Sequence, residues 1–129
     1  MTLLIICLLV AVILPYLVKL AVGYAMQKAK GGYNNHHPRM QQASLEGFGA
    51  RAVAAHQNCF ESLSVFSVAV LTALVTNHIS LLMQILAIIY IFSRFIYIYF
   101  YLKDLASLRS LTWFVGFICC ILMICLCLG

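Results

Sequence analysis

The sequence predicts an all-α membrane protein, a four-transmembrane-helix bundle, on three observations. Of its 129 residues, 65% are hydrophobic and 9% are charged, where soluble domains carry about 25% charged residues. Mean hydropathy is +1.06. The apolar residues gather into four segments, each near the roughly 20 residues needed to cross a hydrocarbon core. One long polar stretch and two short turns separate them. A single membrane domain over residues 1–129 is all this length permits, so any function resides inside the bundle or its loops.

The first segment is expected over residues 2–24. No Lys or Arg precedes its apolar run, MTLLIICLLV, so the basic start of a secretory signal is missing and the segment should remain as a span. Pro15 is expected to kink this helix without ending it, and Lys19 to extend its amine toward the headgroups. Residues 25–49 are punctuated by Gly, Asn and Pro and read as a loop. Three more spans follow at about 50–76, 79–102 and 108–128. All four should be helices, because in hydrocarbon every backbone donor and acceptor must be satisfied within its own segment.

Charge sets the orientation. Lys28, Lys30 and Arg39 lie in the long loop, Arg51 at its exit, and Lys103 and Arg109 at the turn between the third and fourth spans, whereas the Thr76-Asn77-His78 turn has no Lys or Arg. The positive-inside rule then places the long loop and the third turn in the cytoplasm and both termini outside. The net charge of +5 is thus a topology signal, and no soluble surface is available to hold a nucleic acid. Six cysteines show no CxxC or metal-ligand spacing and read as small packing residues; no metal site is expected. His36 and His37 read as solvent-facing loop residues.

Polar residues inside the spans are the functional signal, since an ionisable side chain at membrane depth costs about 2.5–3.5 kcal/mol on insertion scales. Glu61 and Arg94 are the two deep ones. At about 1.5 Å per residue they lie at similar depth below the cytoplasmic face and are expected to meet. At about 100° per residue, Arg51, Asn58 and Glu61 share one sector of the second span, and Tyr90, Arg94, Tyr97 and Tyr101 one sector of the third. His56 and Gln57 point elsewhere, to a neighbouring subunit's site or an interface hydrogen bond. Guanidinium and amide donors, one carboxylate and several phenols suit a small zwitterionic or anionic ligand entering from the cytoplasm. No Ser-His-Asp arrangement and no carboxylate pair is visible, so any chemistry uses a reactive group that the ligand carries.

The stretches RAVAAHQNCFESLSVFSVAVLTA and RFIYIYFYLKDLASLRSLTWFVG, with four spans in this length, resemble the MAPEG family, the membrane-associated proteins in eicosanoid and glutathione metabolism. The likeness is closest to bacterial members. Asn58 followed by Glu61, and Arg94 followed by Tyr97, Tyr101 and Arg109-Ser110, carry it. The resemblance implies a homotrimer in a bacterial inner membrane, with glutathione held between subunits near the cytoplasmic face and a lipophilic small-molecule substrate arriving from membrane lipid. By position, Asn58, Glu61, Tyr97 and Tyr101 look like the family's glutathione contacts. Arg94 is similar to the arginine that pairs with the second-span glutamate. Arg109 looks like the arginine that stabilises the glutathione thiolate, and Ser110 like its hydrogen-bonding neighbour. The implied activity is glutathione transfer to electrophiles or reduction of lipid hydroperoxides.

Two departures from the family pattern stand out. Mammalian members carry an extra arginine near the positions of Ala54 or Gln57, leaving Arg51 here to meet a ligand carboxylate. The proline of their E-x-x-P-x-F pattern is replaced by Ser64. Two other classes remain as alternatives: a small proton-coupled multidrug exporter using Glu61, although such exporters place the carboxylate in their first span, and a non-catalytic scaffold of the same architecture.

Overall fold

The computed structural model describes residues 1–128. Five helices follow one another: α1 (Thr2–Lys28), α2 (Pro38–Ala43), α3 (Phe48–Val75), α4 (Leu81–Leu102) and α5 (Ala106–Cys125). All but α2 are long and apolar enough to cross a membrane, and the protein is an integral membrane protein. α3 and α4 pack on each other and on both remaining spans, whereas α1 and α5 do not meet among the described residues. The α3–α4 pair is therefore the short diagonal of the bundle, with α1 and α5 on its two flanks.

Small residues on the inner faces bring these helices together. Ala69 and Ala73 of α3 and Ala87 of α4 are fully buried in the main apolar cluster with Leu4, Phe66, Val70, Met83 and Met123. Phe66 stacks on Tyr90 at 3.9 Å with ring planes 5° apart, and the Tyr90 hydroxyl donates to the Ser62 carbonyl at 3.0 Å. That bond satisfies the polar tip of a ring otherwise enclosed by hydrocarbon. All six cysteines are free thiols, and Cys7, Cys59, Cys119 and Cys120 are buried.

Both tight turns end their helices in the same way. After α3, Asn77 adopts φ 57°, its N–H donates to Leu74 and the His78 N–H donates to Ala73. After α4, Asp104 adopts φ 61°, its N–H donates to Tyr101 and the Leu105 N–H donates to Phe100. This is the Schellman arrangement, and Asn and Asp take the left-handed position at lower cost than most side chains. Ser80 caps the start of α4 by accepting from the Met83 N–H at 3.1 Å.

The long loop is more ordered than its composition indicates. α1 runs through Pro15 without a break and ends only at Lys28. Pro38, at the first helical position, opens the short helix α2 within the segment expected to be loop. Gln41 then ties the loop together: its amide nitrogen donates to the carbonyls of Met26 and Gly32, and its amide oxygen accepts from the Asn34 N–H. Gly31 and Gly32, at φ 92° and 73°, provide the reversal that brings those groups together.

Candidate functional site

The polar side chains of the spans converge along one side of the bundle, where α3, α4 and α5 face each other. Arg94 is the centre of this arrangement. It is 2% exposed, a position an arginine occupies only with partners on several sides. Its Nη2 donates to Asn58 Oδ1 at 2.7 Å, and its guanidinium lies over the Tyr97 ring with Cζ 4.1 Å from the centroid. Asn58 in turn donates from Nδ2 to Glu61 Oε2 at 3.1 Å. Glu61 and Arg94 therefore do not form the direct pair expected from their depths. The amide of Asn58 stands between them, accepting from the cation and donating to the carboxylate.

A glycine on α5 faces the same stretch of α4. A Cβ on Gly116 would lie 2.8 Å from Ser93 Oγ and at ordinary contact distance, 3.7 Å, from Arg94 Cδ, so a side chain there requires the Ser93 hydroxyl to turn away or the two helices to shift. Ser93 keeps its hydroxyl satisfied by donating to the Tyr90 carbonyl at 2.7 Å.

Toward the α4–α5 turn, the arrangement repeats one turn further out. Arg109, on the first turn of α5, places Cζ 4.4 Å from the Tyr101 ring centroid, and Tyr101 meets Tyr97 edge to face at 5.6 Å. The two phenol rings meet in the middle of a column with a cation at each end, each guanidinium gaining from the face of its own ring. Asn58, Tyr97, Tyr101, Arg109 and Ser110 line one open cleft of about 230 Å³, closed at its inner end by Trp113.

The remaining residues singled out by sequence stand apart from that cleft or at its edge. Arg51 faces the α4–α5 turn: its Nε donates to the Leu102 carbonyl at 3.3 Å, and Nη1 lies 3.9 Å from Asp104 Oδ2. This exposed contact is the only ion pair among the described residues, and it holds the α4 C-terminus against α3. Glu61 borders a second, deeper cavity together with Arg94, Tyr90 and Trp113. His56 turns to the opposite side of α3, where its Nδ1 bonds the Pro15 carbonyl at 2.9 Å. Facing a carbonyl, that nitrogen carries the proton. Gln57 is exposed on the outer surface of α3. His36 and His37 are exposed in the loop, where their N–H groups donate to Asn34 Oδ1, and no group of metal-ligating side chains occurs among the described residues.

Sequence reasoning passed over Trp113, Gly116 and Gln41. Trp113 joins the two cavities, and its only sequence signal was its place one turn after Arg109. Gly116 could have been marked as a glycine inside a span, a position often taken where helices approach closely.

No curated protein and no solved structure matches the sequence. A family model, described as the MAPEG family, matches residues 3–129. With essentially the whole length matched, four membrane-spanning helices and a polar column running inward from the α4–α5 turn, this chain belongs to the MAPEG family.

Proposed function

We propose that this protein is a glutathione-dependent membrane enzyme that transfers glutathione to lipophilic electrophiles, reduces lipid hydroperoxides, or does both. The observation that carries the reading is the single cleft lined by Asn58, Tyr97, Tyr101, Arg109 and Ser110, in a chain whose family generally uses glutathione. The residue types suit that tripeptide. Guanidinium groups meet carboxylates, the exposed Glu61 carboxylate meets an ammonium, and the phenols and the Asn58 amide meet peptide groups.

Arg109 supplies the chemical step. A thiol of ordinary pKa, about 8.5, is only a few per cent ionised at neutral pH, and a fixed cation beside it raises the thiolate fraction. Arginine stays charged under all relevant conditions, and Ser110 next to it offers a hydroxyl donor. In the transfer reaction the thiolate sulfur forms a bond to electrophilic carbon, and the leaving group departs with the bonding pair. In peroxide reduction the O–O bond breaks and the peroxide becomes an alcohol, while two glutathione molecules are oxidised to their disulfide and water is released. Residues that hold the reactants in line provide much of the remaining acceleration.

The exposed polar face of α3 supports the assembly that this reading requires. Gln57, Glu61 and Ser64 are all exposed on a single chain at depths where hydrocarbon would otherwise surround them, which is costly. A homotrimer covers that face and closes the open side of the cleft. In the proposed orientation the basic loop and the α4–α5 turn face the cytoplasm of a bacterial inner membrane, with both termini outside. Membership of the MAPEG family favours this reading over proton-coupled export.

Titration calorimetry of the purified protein in detergent with glutathione, followed by conjugation of a chlorinated nitrobenzene and reduction of cumene hydroperoxide, tests the proposal. Saturable binding with turnover above background is expected. No heat of binding and no turnover in either assay would remove the enzymatic reading.

A further inference from the structure

The chain carries only three acidic residues, Glu46, Glu61 and Asp104. Glu61 lies on α3 and accepts from Asn58, and Glu46 belongs to the loop before α3. Asp104 alone is close to Arg109 in the chain, and the two stand at matched positions of one helix start. With Leu105 as the N-cap of α5, Asp104 is the residue before the cap and Arg109 the fourth residue of the helix. Side chains at those two positions commonly meet across a helix start, as in the hydrophobic staple. The positive end of the helix dipole, which no acidic side chain of the first turn offsets, draws a carboxylate the same way. An aspartate and an arginine so spaced are expected to pair.

Among the described residues they do not. Asp104 Oδ2 lies 3.9 Å from Arg51 Nη1 instead, and Arg109 Cζ stays 4.4 Å from the centroid of the Tyr101 ring. Arg51 reaches this corner from α3, about two turns before Asn58, and its Nε donates to the Leu102 carbonyl at 3.3 Å. That bond anchors the guanidinium on a carbonyl left without a partner at the α4 C-terminus and aims it at the turn. Asp104 is fixed at the same corner by its backbone, at φ 61° with its N–H donating to Tyr101. Its side chain is 75% exposed, so charge rather than packing decides which guanidinium it meets. Lys103, the remaining cation of the turn, is exposed and unpaired among the described residues.

We propose that Arg51 is a positioning residue that holds the Asp104 carboxylate away from Arg109 and so keeps the Arg109 guanidinium free for an anionic ligand. That the anion is the glutathione thiolate rests on the function proposed above, whereas the separation of Asp104 from Arg109 does not. Without Arg51 the carboxylate turns to Arg109, and a ligand anion has to displace it. The loss is that of one exposed ion pair, about two- to fivefold in affinity. A guanidinium shared with a carboxylate also favours a neighbouring thiolate less, so the bound thiol then titrates at higher pH.

Asp104→Asn separates this role from that of a strut between α3 and the turn. A strut fails when either partner is removed, whereas a carboxylate that is gone needs no holding. Arg51→Ala is expected to weaken calorimetric glutathione binding by about two- to fivefold and to move the ultraviolet titration of the bound thiol to higher pH. Arg51→Gln, which keeps a donor for the Leu102 carbonyl and loses the charge, should do the same. Asp104→Asn alone should leave both readouts at their native values, and combined with Arg51→Ala it should restore them. A second readout needs no glutathione: the rate at which phenylglyoxal modifies Arg109, located by peptide mass spectrometry, should fall in both Arg51 variants and recover in the double variant. An unchanged rate in both Arg51 variants, or a double variant no better than Arg51→Ala, would overturn the proposal. The expected pattern of Arg109 reactivity in a protein that binds no glutathione would retain the role of Arg51 and remove the proposed enzymatic function.

Discussion

At the scale of single residues, the proposed chemistry rests on two arginines in unlike surroundings. Arg94 is enclosed and committed to Asn58 and Tyr97, so it organises the site from within. Arg109 is half-buried and lies over the Tyr101 ring, and in the proposed function its donors meet the ligand. Replacing Arg109 by Ala is therefore expected to leave folding intact and to lower kcat by about 10²–10³, the usual cost of removing one group that stabilises developing or resident anionic charge. The same change should move the pH–rate profile to higher pH, toward the free thiol value of about 8.5, since the cation that favours the thiolate is gone. Arg109→Lys keeps the charge and loses the planar stack on Tyr101, so it should fall between the two. A profile that stays in place in Arg109→Ala would assign the thiolate to another cation. Depth along each helix could be counted from the sequence, and it put Glu61 and Arg94 at one level. That Asn58 would stand between them depended on rotamers, which counting does not reach.

At the scale of elements, the contact between α4 and α5 brings Arg94 and Arg109 onto one side of the bundle. Gly116 has no room for a Cβ against Ser93 Oγ, and overpacking of this kind costs about 1–3 kcal/mol. Gly116→Ala is expected to lower the thermal midpoint in detergent, because its Cβ meets the Ser93 hydroxyl at 2.8 Å and breaks that hydroxyl's bond to the Tyr90 carbonyl or loosens the α4–α5 contact. Adding Ser93→Ala removes the crowded oxygen and should restore most of the midpoint. Failure of that rescue would place the strain elsewhere, against Tyr90 or Arg94 itself. The spans were readable because each is a long apolar run between polar breaks. α2 was not, because its six residues, PRMQQA, have no apolar period; its stability comes from Pro38 at its start and from Gln41 bonding α1 and the loop. Arg51 shows a related limit. A helical wheel puts it in line with Asn58, but the wheel does not include the α4–α5 turn, whose Leu102 carbonyl and Asp104 carboxylate draw the guanidinium to the bundle's end.

At the scale of the whole molecule, the surface of a single chain bears on the proposed trimer. Large apolar side chains cover the outer faces of α1, α4 and α5, as bilayer contact requires, yet α3 exposes Gln57, Glu61 and Ser64 among them. Native mass spectrometry of the protein released from detergent is expected to give three times the 14.4 kDa chain mass, the closed cyclic form in which one face of each copy covers a different face of the next. A monomer mass under conditions that retain glutathione binding would show that the cleft functions within one chain.

Composition and periodicity by themselves determined that this chain lies in a membrane, crosses it four times and carries its ionisable groups on two faces that cannot both meet lipid. Those conclusions follow from transfer free energies and helical geometry, which depend only on residue type and position. The tertiary structure decided which partners those groups find. It separated Arg51 from the cleft, interposed Asn58 between the buried charges and divided the space along α5 into a polar cleft and an apolar cavity at Trp113. Each of these turns on side-chain rotamers and on how closely two helices approach, here limited by Gly116, and such distances of a few ångströms are set by packing among residues far apart in the chain.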